Sequence, residues 1–141
     1  MTAAAAVSAE VEVACRQVVI AFAHHLDHRE FDAAAELFAP DGVWDRHGET
    51  LVGRDAIREV IASRDPNQLE RHVTTTTLST SVSPTECSVI SYVQIYRTTA
   101  AAEAETPMVA TSMLGEFHDT LRMVDGEWKL AHRFAVAVMK I

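Results

Sequence analysis

Arg71-His72-Val73-Thr74-Thr75-Thr76-Thr77-Leu78-Ser79-Thr80-Ser81-Val82 is the stretch where the chain changes its pattern. Before it, apolar residues recur at helical spacing. From it onward they alternate with polar ones, and β-branched residues accumulate, as pleated strands favour. His72–Val82 therefore reads as the first of four long strands. Cys87–Arg97 is the second, with Ile90, Tyr92, Gln94 and Tyr96 on one side and Val89, Ser91, Val93 and Ile95 on the other. Both sides carry apolar groups, which predicts burial on both faces. Met108–Val124 is the third, bulged at Gly115. Asp125-Gly126 is a hairpin turn signal, and Glu127–Lys140 is the fourth. The alanine- and glutamate-rich segment Thr98–Thr106 is expected to be a flexible hairpin loop.

Upstream of that stretch, Val11, Cys15, Val18, Phe22 and Leu26 lie on one helical face, with Ser8 as cap and Glu10 in the first turn. A shorter helix places Phe31, Ala35 and Phe38 together and stops at Pro40-Asp41-Gly42. Val43-Trp44-Asp45 and Thr50-Leu51-Val52 form a small hairpin around His47-Gly48. A third helix over Asp55–Ser63 turns Ile57, Val60 and Ile61 inward, and Pro66-Asn67 closes it. Helices first and long strands afterwards predict an α+β fold. Its curved antiparallel or mixed sheet would wrap the helices into a cone with an interior pocket. Residues 1–7 are expected to be a loose tail and 8–141 a single domain.

The chain has 141 residues, a hydrophobic fraction of 48% and a net charge of −8. That length can bury a core without staples. The acidity argues against nucleic acid and anionic membrane surfaces as partners. No apolar run reaches membrane-spanning length, and the start lacks a basic region, so a cytoplasmic protein is expected. Cys15 and Cys87 read as buried free thiols rather than a disulfide framework. No dinucleotide fingerprint, P-loop or serine-hydrolase elbow occurs, so no cofactor is expected.

Several segments then match a family in order. They are Leu26-Asp27-x3-Phe31-Asp32-x4-Leu37-Phe38-x-Pro40-Asp41-Gly42, Gly53-Arg54-Asp55-Ala56-Ile57, Arg71-His72-Val73-Thr74, Gly115-Glu116-Phe117-His118-Asp119 and Asp125-Gly126-Glu127-Trp128-Lys129-Leu130. Together they resemble the SnoaL-like branch of the nuclear-transport-factor-two-like superfamily. The layout is most similar to the scytalone dehydratase and hexachlorocyclohexane dehydrochlorinase group of lyases. The resemblance implies a homodimer or homotrimer and a catalytic dyad of an Asp ending the first helix and a His opening a strand. Asp27 and His72 occupy those places. It also implies an arginine in the last strand that meets a leaving group or oxyanion. Arg133 fits, although a one-residue slip would select His132.

The chemistry of such a dyad is simple. A carboxylate fixes the imidazole tautomer and stabilises the protonated ring, which can then accept a proton from carbon. Asp27-His28-Arg29-Glu30 also fits a capping box for the second helix, with Asp27 as N-cap. Phe22, Trp44 and Phe134 are candidates for the cavity wall, and Tyr92 lies on a strand of open facing. His118 stands where the family commonly has a tyrosine, lining either the pocket or an oligomer interface. His24, His25 and His28 lack a carboxylate at metal-site spacing, so they read as polar residues at a helix end. These features predict a cofactor-free lyase or isomerase of dehydratase or dehydrohalogenase type, acting on a small hydrophobic cyclic molecule. The alternatives are a hydrophobic-ligand-binding or assembly domain, including an oxygenase small subunit, and a polyketide-cyclase-like enzyme.

Overall fold

Ser8 does start the first helix. Its hydroxyl accepts a hydrogen bond from the Val11 amide at 3.2 Å, and α1 runs over Ala9–Asp27 with Glu10 and Glu12 in the first turn. The acidic side chains suit the positive end of the helix dipole. Cys15, Val19, Phe22 and Leu26 form its buried face. The computed structural model describes residues 6–99, 106 and 111–140. The expected tail and the 98–106 loop therefore lie mostly outside the described residues.

The second helix, α2, covers only Phe31–Glu36. Phe38 is not on it, contrary to the helical spacing, but opens strand β1 (Phe38–Arg46). Pro40-Asp41-Gly42 is correspondingly not a terminator between elements. It forms an irregularity inside β1, where the pairing register shifts between Phe38 and Val43. Gly42 permits this, because a Cβ there would sit 3.0 Å from the Leu130 carbonyl oxygen. After β1 come β2 (Glu49–Val52) and α3 (Arg54–Ala62), whose buried Ile57 and Ile61 match expectation. The long strands are β3 (Gln68–Ser83), β4 (Glu86–Thr99), β5 (Thr111–Val124) and β6 (Glu127–Lys140).

The result is an α+β fold on one six-stranded mixed sheet of order β2-β1-β6-β5-β4-β3, open at both edges. Its neighbouring strands are antiparallel except β1 and β6, which run parallel. Register shifts bend the long strands: in β3 at Thr76 (φ 49°), and in β6 between Leu130 and His132 and again between Ala137 and Met139. Such extra residues sharpen twist and curvature. The concave face holds α1 against β3, β4 and β6. The main apolar core fills one end of this space, with Phe22, Phe38, Ile57, Leu121 and Leu130 buried. Val93, Ile95 and Phe117 form a second cluster towards the other end.

Two consequences are open to measurement. Gly115 sits at the second β6 shift, and a Cβ there would meet the Val136 carbonyl oxygen at 2.6 Å. Backbone cannot yield as a side chain can, so Gly115→Ala is expected to cost about 1–3 kcal/mol in chemical denaturation. Cys15 and Cys87 are buried and free, and burial pushes the Cys15 thiol up to about 12, with Cys87 beside it acting in the same direction. Only the thiolate reacts. Both thiols should therefore stay silent to a disulfide reagent at pH 8 in the native protein and react after unfolding.

Candidate active site

Asp27 is the last residue of α1, and its carboxylate points at β3. The His72 backbone N–H donates to Asp27 Oδ2 at 2.7 Å, and His72 Nδ1 lies 2.6 Å from Asp27 Oδ1. Both side chains are at most 6% exposed. A carboxylate at a helix C-terminus opposes the dipole. The two donors from His72 offset that, and Arg71 Nη1 donates to the Asp27 carbonyl oxygen at 3.3 Å. Since the carboxylate only accepts, Nδ1 carries the proton, and Nε2 is left with its lone pair. The capping-box reading does not hold. The N-cap of α2 is Glu30, without a side-chain capping bond, because Asp27 is already engaged by the sheet.

His72 lines a cavity of about 320 Å³ between α1 and the concave face. Phe22, Leu26, Trp44, Ile95 and Phe117 supply apolar wall. At interior packing density the space suits about 15 non-hydrogen atoms. Arg133 lies in its wall and is 1% exposed. Its Nε and Nη2 donate to Asp119 at 2.7 and 2.8 Å, a bidentate buried pair. Its guanidinium carbon sits 4.1 Å from the Phe117 ring centre and 4.8 Å from that of Phe22. Nη1 has no hydrogen bond among the described residues, so it keeps donors for a ligand in the cavity.

Of the expected site residues, the structure brings Asp27, His72, Arg133, Phe22 and Trp44 together. It puts Tyr92, His118, His132 and Phe134 on the opposite, outer face of the sheet. Tyr92 and Phe134 are 44% and 47% exposed. His132 pairs with Asp45 at 2.6 Å, and His118 pairs with Glu116 at 2.8 Å while packing edge-on to Phe134. Strand alternation accounts for Tyr92 and His118, whose neighbours Ser91 and Phe117 face inward. The cause on β6 is an extra residue, Ala131. It moves the inward side from even-numbered Leu130 to odd-numbered Arg133 and Ala135.

Reading by sequence missed Glu70 and the arginines around it. Glu70 is buried two residues before His72 on the same face, with Oε1 3.9 Å from His72 Nδ1. Arg64 and Arg97 both pair with it, Arg97 Nη2 at 2.5 Å. The alternation of β3 was the available signal for Glu70. The cross-strand partner Arg97 needs the β3–β4 register. Asp27, Glu70 and His72 bring ligand atoms within 4.8 Å of one another. Two guanidinium groups already pair with Glu70, so a metal cation there would face both charges. His24, His28 and Glu30 form a second, exposed group at the end of α1.

The SnoaL-like domain family matches residues 7–134. No curated protein matches the sequence. Among solved structures, one from Novosphingobium aromaticivorans, provisionally named a scytalone dehydratase, is 25% identical, with a TM-score of 0.76 over 92% of this chain and 85% of that one. A Mycobacterium tuberculosis protein of unknown function is 22% identical, with a TM-score of 0.78 over 92% of this chain and 73% of its own. ActVI-ORFA from Streptomyces coelicolor is 21% identical, with a TM-score of 0.77 over 92% of this chain and 98% of its own. The last two likenesses concern the fold alone.

Proposed function

The chain belongs to the SnoaL-like domain family of the nuclear-transport-factor-two-like superfamily, and on that premise we propose that it is a cofactor-free lyase acting on a small, mostly apolar cyclic molecule. The observation that carries this reading is the 2.6 Å contact between His72 Nδ1 and Asp27 at the wall of an apolar cavity. His72 Nε2 removes a proton from carbon. The electrons of that C–H bond form the new double bond as the bond to a hydroxyl or halide on the adjacent carbon breaks. Arg133 Nη1 stabilises the charge on the departing group or on an enolate. A departing hydroxide takes the proton back from His72 and leaves as water, whereas a halide leaves as the anion. Asp27 holds the ring in its tautomer and stabilises the imidazolium that forms. Apolar walls exclude water and strengthen each of these polar contacts.

The likeness to the N. aromaticivorans protein supports the dehydratase direction. The outer face exposes Leu78, Tyr92, Phe134 and Val138. Apolar surface of that kind supports self-association, and a homodimer or homotrimer is the expected state.

The test is a panel of cyclic alcohols and halides with an acidic neighbouring C–H, together with 5-nitrobenzisoxazole as a general probe of carbon-proton abstraction. Elimination is followed for the native protein and for His72→Gln. Turnover that disappears in the variant supports the lyase. Equal background rates for both proteins across the panel, with ligands still bound, would leave a binding domain.

A further inference from the structure

The cavity walls are apolar at one end and cationic at the other. Five lining side chains, Arg46, Arg64, Arg97, Arg133 and Lys140, are basic, and no Asp or Glu lines the cavity among the described residues. This is unusual in a chain whose net charge is −8. The topology explains how the charges gather. The ends of β1 and β6 (Arg46, Lys140), the end of β4 (Arg97) and the start of β5 (Met113) lie at the same end of the sheet. Exposure rises towards that end: Arg133 is 1% exposed, and the side chains of Arg64, Arg46 and Arg97 are 16%, 29% and 49% exposed. The cationic end is therefore the mouth, and Phe22, Trp44 and Phe117 surround the inner part.

Arg64 pairs with the carboxylate of Glu70, which also meets Arg97. Arg46 reaches the exposed Glu49 at 3.6 Å and lies over the Trp44 ring. Burial pulls the Arg64 guanidinium down, and the charges of Arg97 and Arg46 pull the same way against Glu70. Trp44 Nε1, also in the cavity wall, is a buried donor with no partner among the described residues. Buried donors ordinarily have an acceptor.

We propose that the substrate is a small organic acid: a ring body that fills the apolar part of the cavity, with a carboxylate that meets Arg46, Arg64 and Lys140 at the mouth. This rests on the lyase reading for the chemistry at His72 but concerns recognition at the other end of the same cavity. The carboxylate would orient the ring and present one C–H edge to Nε2. It would also draw anionic ligands in faster at low salt.

The experiment titrates the protein with 2-naphthoate and with the neutral, nearly isosteric 2-naphthamide, read by tryptophan fluorescence. The acid is expected to bind about tenfold tighter or more at low salt, with the preference shrinking as salt rises. In Arg46→Gln/Lys140→Gln the preference should collapse while naphthamide binding stays unchanged, which also reports an intact fold. Equal affinities in the native protein would overturn the organic-acid assignment and leave proton abstraction at His72 standing. Binding of neither probe at millimolar concentration would overturn both.

Discussion

Asp27→Asn is expected to slow carbon-proton abstraction by about 10²- to 10⁴-fold, although the side chain changes by one atom. The reason lies in the donors that surround it. Asp27 accepts from the His72 amide through Oδ2 and from Nδ1 through Oδ1. Asparagine has one acceptor oxygen and one donor nitrogen. The His72 amide can only donate, so it takes the oxygen. The asparagine NH₂ then faces Nδ1, which must become an acceptor, and the ring proton moves to Nε2. A base that already carries its proton on the reacting nitrogen cannot remove another. Two measurements separate this from a loss of fold. Nitrogen NMR of the imidazole should report the proton on Nδ1 in the native protein and on Nε2 in the variant. His72→Gln should lose turnover to a similar extent without any tautomer to report. An Asp27→Asn protein that keeps both its rate and the Nδ1–H tautomer would remove the dyad from the reaction.

The dyad was legible in the sequence because each member sits at the boundary of an element that its own pattern defines. Asp27 closes a clean helical face, and His72 begins the threonine-rich alternation. An ordered set of family-like segments then placed the two boundaries opposite one another. Arg133 was only half legible. Counted back from Asp125-Gly126 without interruption, β6 would place His132 opposite Asp119 and turn it inward. Ala131 inserts one residue, so Arg133 takes both the partner and the facing. A bulge of this kind has no sharp local signature, since alanine is no marker for it. The same insertion turned Phe134 outward. The cationic mouth was not legible at all. Its members come from separate strand ends and from Arg64 after α3, and only the pairing register brings them to one end of the sheet. Phe38 was misread for a different reason. It continues the spacing of α2, but its packing against Phe22, with ring centres 5.5 Å apart, belongs to a strand. Tertiary packing here overrides a short helical pattern.

The largest effect on stability should come from the buried pair beneath the cavity. Asp119→Leu would leave the Arg133 guanidinium enclosed by Phe22 and Phe117 with no counter-charge, and unpaired buried charges of this kind cost about 3–5 kcal/mol. Arg133→Met would leave Asp119 in the same position and should cost a similar amount. Replacing both at once is a different experiment. Asp119→Leu with Arg133→Met removes the desolvated charges together, and paired replacement by apolar residues is commonly neutral or stabilising. Denaturant unfolding should therefore show two unstable single variants and a double variant near the native value, a strong positive coupling. If folding alone required the ion pair, no such recovery would occur. Recovery of stability without recovery of turnover on any substrate of the native protein would place the value of Arg133 in its remaining donor, Nη1, at the reacting end of the cavity. A double variant that folds and still turns over would assign charge stabilisation to another group and leave Arg133 as a structural arginine.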